Sequence, residues 1–326
     1  MKLHETDANH FNDYAYAEPD STIYQTSFWS DYMATKGCSP VFIEACDDND
    51  TCIGLSSLLL KKESFVSGKL TAYAPFGFLI NYYDEALFTE FEDMLEGYLR
   101  QKKVSKLIIE PQVDDSENLV RKMLENLGYV RENDLSIYEE NVEDHVDGLN
   151  DLNIILKIRC TDDISVLESL ASGKEDREKL KIFDCLKKHA KCYVTQLDSF
   201  KSLRAIENSL ADNEAFISEH RNDYKFVEAI ADRENENKRL KKFFNVIKRQ
   251  NEDPDITAIC VSDFSDKCSI IFSMSRDKED LFHTEKAIID QICADCKNRG
   301  IIRIDSKSEF TYSRERKLLG RFSLKI

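Results

Sequence analysis

Residues 69–111, KLTAYAPFGFLINYYDEALFTEFEDMLEGYLRQKKVSKLIIEP, decide the fold class. Leu70-Thr71-Ala72-Tyr73 reads as a short strand that breaks at Pro75-Phe76-Gly77. Leu87, Phe88, Phe91, Met94, Leu95, Tyr98 and Leu99 then recur at three- and four-residue spacing, which predicts an amphipathic helix. Lys106 to Glu110 reads as a second strand, stopped by Pro111. Strand, crossover helix and strand make the unit from which mixed α/β sheets are built.

Outward from this unit, residues 1–20 predict a short strand and a helix ending near Pro19. Ser27 is the expected cap of a helix carrying Phe28, Trp29, Tyr32 and Met33, which Gly37 closes. Val41 to Cys46 and Thr51 to Leu60 predict a hairpin across the polar turn Asp47-Asp48-Asn49-Asp50. After the central unit, residues 117–126 predict a helix and Gly128-Tyr129-Val130 opens another strand. The acidic segment 139–150 is the expected linker. Beyond it the pattern resumes, with strands over 152–158, 192–197, 256–261, 268–274 and 301–305, and helices over 164–170, 176–189, 200–211 and 283–299. Residues 318–326 alternate with period two and predict a terminal strand.

At 326 residues the chain exceeds the roughly 100–200 residues usual for one domain, so two are expected. Apolar residues make up 42%, enough for globular cores, and no window reaches the roughly 18 apolar residues of a membrane span. The N-terminus, MKLHETDANHF, has no export signal, and a cytoplasmic location is expected. Ten cysteines scattered through apolar runs read as free, buried thiols. Cys293-Ala-Asp-Cys296 falls inside a predicted helix without a second ligand pair. The six histidines show no metal-ligand spacing, so no metal site is expected. Neither a glycine-rich dinucleotide loop nor a P-loop occurs, and no cofactor is expected.

A formal charge of −16 opposes non-specific nucleic-acid binding, so any phosphate contact must be local. Two basic segments stand against the trend, 238–249 and 314–325. The first lies in a helical stretch over 221–250 and presents Lys238, Arg239, Lys241, Lys242, Lys248 and Arg249.

YAPFGFLINYYDE, the following helix and KLIIEP together resemble the first domain of the Fem family, tRNA-dependent aminoacyltransferases that extend the peptide of peptidoglycan precursors. Residues 21–37 (STIYQTSFWSDYMATKG) and LENLGYV at 124–130 are similar to the same family. The resemblance implies two tandem GNAT-like domains, each a mixed sheet flanked by helices. The first would hold residues 1–148 and 310–326, with the terminal strand returning to it. The second would hold 149–309, with a short helical basic insertion at about 221–250. It further implies an aminoacyl-tRNA donor, a peptidoglycan precursor or other amine as acceptor, and contact with a membrane only at its surface. A Fem-like binding protein without catalysis and an acyl-CoA-dependent N-acyltransferase of a cell-envelope precursor are the competing expectations.

Family positions carry over unevenly. Where the family has a nucleotide-contacting lysine four residues after the tryptophan, this chain has Met33, with Lys36 nearly one turn later. The arginine of the family's PRGP-like turn is replaced by Phe76. Arg221, followed by Tyr224, aligns with a family arginine and reads either as an anion clamp or as a solvated helix-start residue. SKSEF at 306–310 can be laid on the family's FKKGF, which makes Lys307 the candidate catalytic cation or else a solvated lysine. Tyr73 and Phe76 join Lys36, Arg221 and Tyr224 as candidate substrate contacts, and Lys238, Arg239, Lys241 and Lys242 are the candidate tRNA contacts.

Overall fold

The computed structural model describes residues 1–63, 68–144, 156–197, 256–275 and 281–326. The first half of the chain runs β1 (Lys2–Thr6), α1 (Ala8–Ala17), α2 (Ser27–Thr35), β2 (Ser39–Cys46), β3 (Cys52–Lys62), β4 (Leu70–Ala74), β5 (Leu79–Ile80), α3 (Glu85–Gln101), β6 (Val104–Ile109), α4 (Asn118–Asn126) and β7 (Val130–Asn141). The second runs β8 (Leu156–Thr161), α5 (Ile164–Leu170), α6 (Lys174–Leu186), β9 (Ala190–Leu197), β10 (Ile256–Phe264), β11 (Lys267–Ser275), α7 (Leu281–Arg299), β12 (Arg303–Ser306) and β13 (Arg314–Lys325).

The central unit forms as its pattern dictates. Asp84 caps α3, its side chain accepting from the Leu87 amide at 3.0 Å, and Phe88, Phe91, Leu95 and Leu99 are fully buried. They pack with Ala72, Ala74, Leu107 and Ile109 of β4 and β6 in the core of the first half. Burying each such side chain stabilises by about 1.5–3 kcal/mol. Thr26, and not Ser27, caps α2: its hydroxyl accepts from the Trp29 amide, because the turn Ile23–Gln25 delivers it in extended backbone. Ser27 instead pairs with the Asn12 side chain of α1.

The strands form one sheet in the order β1-β2-β3-β4-β6-β13-β7-β12-β11-β10-β9-β8, with β5 against β3. Two pairs are parallel, β4 with β6 and β11 with β12, and a helix crosses over each, α3 and α7. The two halves therefore repeat one plan: antiparallel strands, a crossover helix, and a parallel neighbour. At the join the strands are exchanged. β7 follows the first half yet pairs with β12, Ser306 opposite Tyr138, while β13 follows the second half yet pairs with β6, Phe322 opposite Ile109. β7 and β13 also pair with each other. Gly320 sits at φ +104° in the bulge of β13, where a Cβ would collide with the Asn133 carbonyl.

Two expectations need correction. Residues 139–141 are not linker but the end of β7, where Arg303 meets Glu139 at 3.3 Å and Glu140 is buried. Acidic composition misled there because the charges face arginines across the sheet. The basic segment 314–325 is likewise no open basic surface. It is β13, whose Arg316 binds Asp114 at 2.7 Å and whose Arg321 binds Glu110.

All ten cysteines are free, and Cys293 and Cys296 of α7 are buried in the second core. Among the described residues no helix is long and apolar enough to cross a membrane.

Candidate active site

The turn between β4 and β5 is held under constraint. Phe76 takes φ +55° and Gly77 φ +77°, and the left-handed conformation costs a bulky residue on the order of 1–3 kcal/mol. Three contacts impose it. The Phe78 amide donates to the Tyr82 hydroxyl at 2.9 Å, the Gln25 side chain donates to the Phe76 carbonyl at 3.3 Å, and Pro111 closes over Gly77. A Cβ on Gly77 would lie 2.5 Å from the Tyr82 hydroxyl, so only glycine fits. The Phe76 ring is thereby stacked on Tyr24, centroids 5.3 Å apart, and Tyr24 meets Trp29 edge-on at 4.7 Å.

Lys307 reaches these rings from the other half of the chain. It follows β12, and its Nζ stands 4.0 Å from the Tyr24 ring centroid and 4.6 Å from that of Phe76. The residue as a whole keeps surface open to solvent, while its ammonium sits against the two aromatic rings. Burial brings the ammonium down to about 8; Glu110 opposes that shift and Arg321 reinforces it. Among the described residues Lys307 makes no ion pair, and the groups its ammonium touches are ring faces.

Glu110 is buried, and both of its carboxylate oxygens are hydrogen-bonded. Its Oε1 accepts from Arg321 Nε at 2.8 Å and Nη2 at 2.5 Å, and its Oε2 accepts from the Tyr73 hydroxyl at 2.5 Å. It cannot serve as a ready base; it fixes Arg321 and Tyr73. Burial in turn pushes the Tyr73 phenol well above its usual range.

Phe76 also lines a cavity of about 400 Å³, walled further by Tyr14, Glu18, Phe78, Tyr82, Tyr83, Gln112 and Arg316. Gln112 Oε1 is buried there with no hydrogen-bond partner among the described residues, an acceptor left for a ligand N–H. Phe76 thus both lines the cavity and meets the Lys307 ammonium.

The structure thus brings Lys307 and Phe76 into contact and sets Tyr73 beside them through Glu110 and Arg321. It gives Lys36 another partner. That lysine ion-pairs with Glu178 of α6 and lies 5.4 Å from the Tyr32 ring, with Tyr32 and Trp29 standing between it and Tyr24. Arg221, Tyr224, Lys238, Arg239, Lys241 and Lys242 lie outside the described residues. Tyr24, Glu110 and Arg321 were not singled out in the sequence. A charged residue directly before Pro111 was the available signal for Glu110, whereas Arg321 shares the polar positions of its alternating strand with Ser323 and Lys325.

Two repeated mixed-sheet halves joined through β7 and β13 into one sheet make a GNAT-like fold. Residues 6–131 match the model of the FemAB family. A crystal structure of FemX is similar over 100% of this chain and 98% of its own, at 14% identity and a TM-score of 0.71, which shows the fold. A tandem GNAT protein from the clavulanic acid biosynthesis pathway is similar over 99% of this chain and 98% of its own, at 8% identity and a TM-score of 0.48. No curated protein matches this chain in sequence.

Proposed function

We propose that the protein is a Fem-like aminoacyltransferase that moves an amino acid from aminoacyl-tRNA to an amine of a peptidoglycan precursor peptide or a related acceptor, in the cytoplasm. The observation that carries this reading is the Lys307 ammonium, held against Tyr24 and Phe76 where the two halves meet and bound to no carboxylate among the described residues. In the reaction the acceptor amine attacks the ester carbonyl. The C–N bond of the new amide forms, the C–O bond to the ribose breaks, and the proton lost by the amine goes to the departing hydroxyl. Negative charge gathers on the carbonyl oxygen between these events, and a cation already in place there lowers the barrier without reorganisation. A carboxylate partner would cancel that effect, and Glu110 is kept from this role by Arg321 and Tyr73.

The cavity that Phe76 lines suits the acceptor. Its aromatic walls fit a peptide or sugar, and Gln112 Oε1 can accept from an amide N–H. With Met33 and Phe76 at the family's cationic positions, the acceptor is recognised without a tight diphosphate grip. Arg221 and Tyr224 are proposed as further substrate contacts, and Lys238, Arg239, Lys241 and Lys242 as the local basic patch for tRNA.

The test is incubation of purified protein with charged tRNAs and a panel of lipid-linked, nucleotide-linked and free peptide acceptors, read by mass spectrometry. An aminoacyl mass increment that requires charged tRNA is expected. An increment with acyl-CoA alone would replace the reading with N-acyl transfer, and binding without any increment would replace it with a non-catalytic role.

A further inference from the structure

A second cluster of reactive side chains lies at the β1 edge of the sheet, apart from the contacts of Lys307. His4 of β1 stands directly opposite Glu44 of β2, and Cys46 follows Glu44 by two residues on the same face. Glu44 and Cys46 are buried and form the floor, while His4 covers them half-exposed from above. His4 Nε2 is 3.4 Å from Glu44 Oε2, and the donor atoms of His4, Glu44 and Cys46 all lie within 4.8 Å of one another. His10, near the start of α1, approaches the same carboxylate, Nε2 to Oε1 at 3.2 Å. Cys52, paired opposite Cys46 in the β2–β3 ladder, brings a second thiol to Glu44.

We propose that His4, Glu44 and Cys46 bind a zinc-type divalent cation, with His10 holding the Glu44 carboxylate in position. Zinc binds imidazole and carboxylate at about 2.0–2.2 Å and thiolate at about 2.3 Å, so tetrahedral neighbours stand roughly 3.3–3.8 Å apart. The His4–Glu44 separation already falls in that range. An imidazole, a carboxylate and a thiol suit zinc, whereas magnesium and calcium take oxygen donors alone. A ligating carboxylate held by a neighbouring hydrogen bond is the support such ligands usually have, and His10 supplies it. Binding requires Cys46 Sγ to release its proton to solvent. The sequence showed no metal spacing because the donors come from two strands, with the supporting histidine on a helix. A cation here would fasten β1 and α1 to β2, and α1 carries Tyr14, which lines the cavity.

The experiment uses the full chain, reduced, stripped with chelator and titrated with Co²⁺ and then Zn²⁺. One equivalent of Co²⁺ should give tetrahedral visible bands and a thiolate charge-transfer band that Zn²⁺ displaces. Cys46→Ala should abolish the charge-transfer band, and His4→Ala should weaken binding by at least about tenfold. His10→Ala should weaken it by roughly 10–100-fold while keeping the thiolate signature. Circular dichroism checks that each variant stays folded, and His4 is exposed enough to be replaced without disturbing a core. Absence of stoichiometric binding, or binding unchanged in both His4→Ala and Cys46→Ala, would overturn the proposal.

Discussion

Lys307 Nζ lies 4.0 Å from the centroid of the Tyr24 ring, and the two residues belong to opposite halves of the chain. Their contact exists only because β7 and β13 exchange places between β6 and β12, which fuses the halves into one sheet. A buried tie reinforces the junction. Lys267 of β11 donates to the carbonyls of Ser21, at 2.9 Å, and Pro19, just before the turn that carries Tyr24.

Lys307→Ala should lower turnover more than acceptor affinity, the pattern of an interaction made mainly in the transition state. Because the ammonium lies at about 8, activity that needs the cation should fall as pH rises through that value. Lys307→Arg, whose charge persists, should remove that falling limb. An unchanged pH profile in the arginine variant would assign the limb to another group. Steady-state kinetics between pH 6 and 10 would show it.

Charge reversal at Lys238, Arg239, Lys241 and Lys242 should weaken tRNA binding and flatten its dependence on salt, since each lost phosphate contact removes about 0.9 from the slope for duplex and about 0.7 for single strands. Filter binding across a salt series is the measurement. An unchanged slope excludes this segment.

Glu92 of α3 is buried in the first core, where it accepts from the Tyr129 hydroxyl, and burial raises its carboxyl from 4.5 to about 7. The direction of the pH effect follows. Between those values the unfolded chain gives up the proton while the folded chain keeps it, so stability falls as pH rises and levels off above about 7. Glu92→Gln, which still accepts from Tyr129, should match the parent near pH 4.5 and exceed it by up to about 3 kcal/mol above pH 7. Urea unfolding at pH 5 and pH 8 tests this. An equal difference at both would attribute the gain to something other than ionisation.

Arg321→Ala should cost roughly 2–3 kcal/mol by leaving Glu110 charged and partnered only by Tyr73. The cost stays below that of a fully buried pair because the Arg321 side chain is 40% exposed. Adding Glu110→Gln should recover most of it, and thermal unfolding of the two variants and their combination would measure the coupling. No recovery would mean that packing of the arginine stem, and not the charge, is what was lost.

What the sequence determined by itself is local. The three- and four-residue spacing from Leu87 to Leu99 specified α3, Gly37 marked the end of α2, and the motif over 73–85 carried the family resemblance. Each of these depends on neighbours within a turn or two of one element. Tertiary structure decided the rest. Arg321 and Glu110 are 211 residues apart in the chain, Lys307 meets rings from residues 24 and 76, and Lys36 finds Glu178 on another half. The crossing of β7 and β13 was legible only as far as the terminal strand's expected return, since an alternating strand pattern says which face is buried and nothing about which neighbour it pairs with. Likewise Glu44 and Cys46 stand two residues apart on β2, but only strand register brings His4, about forty residues earlier, to their donor atoms.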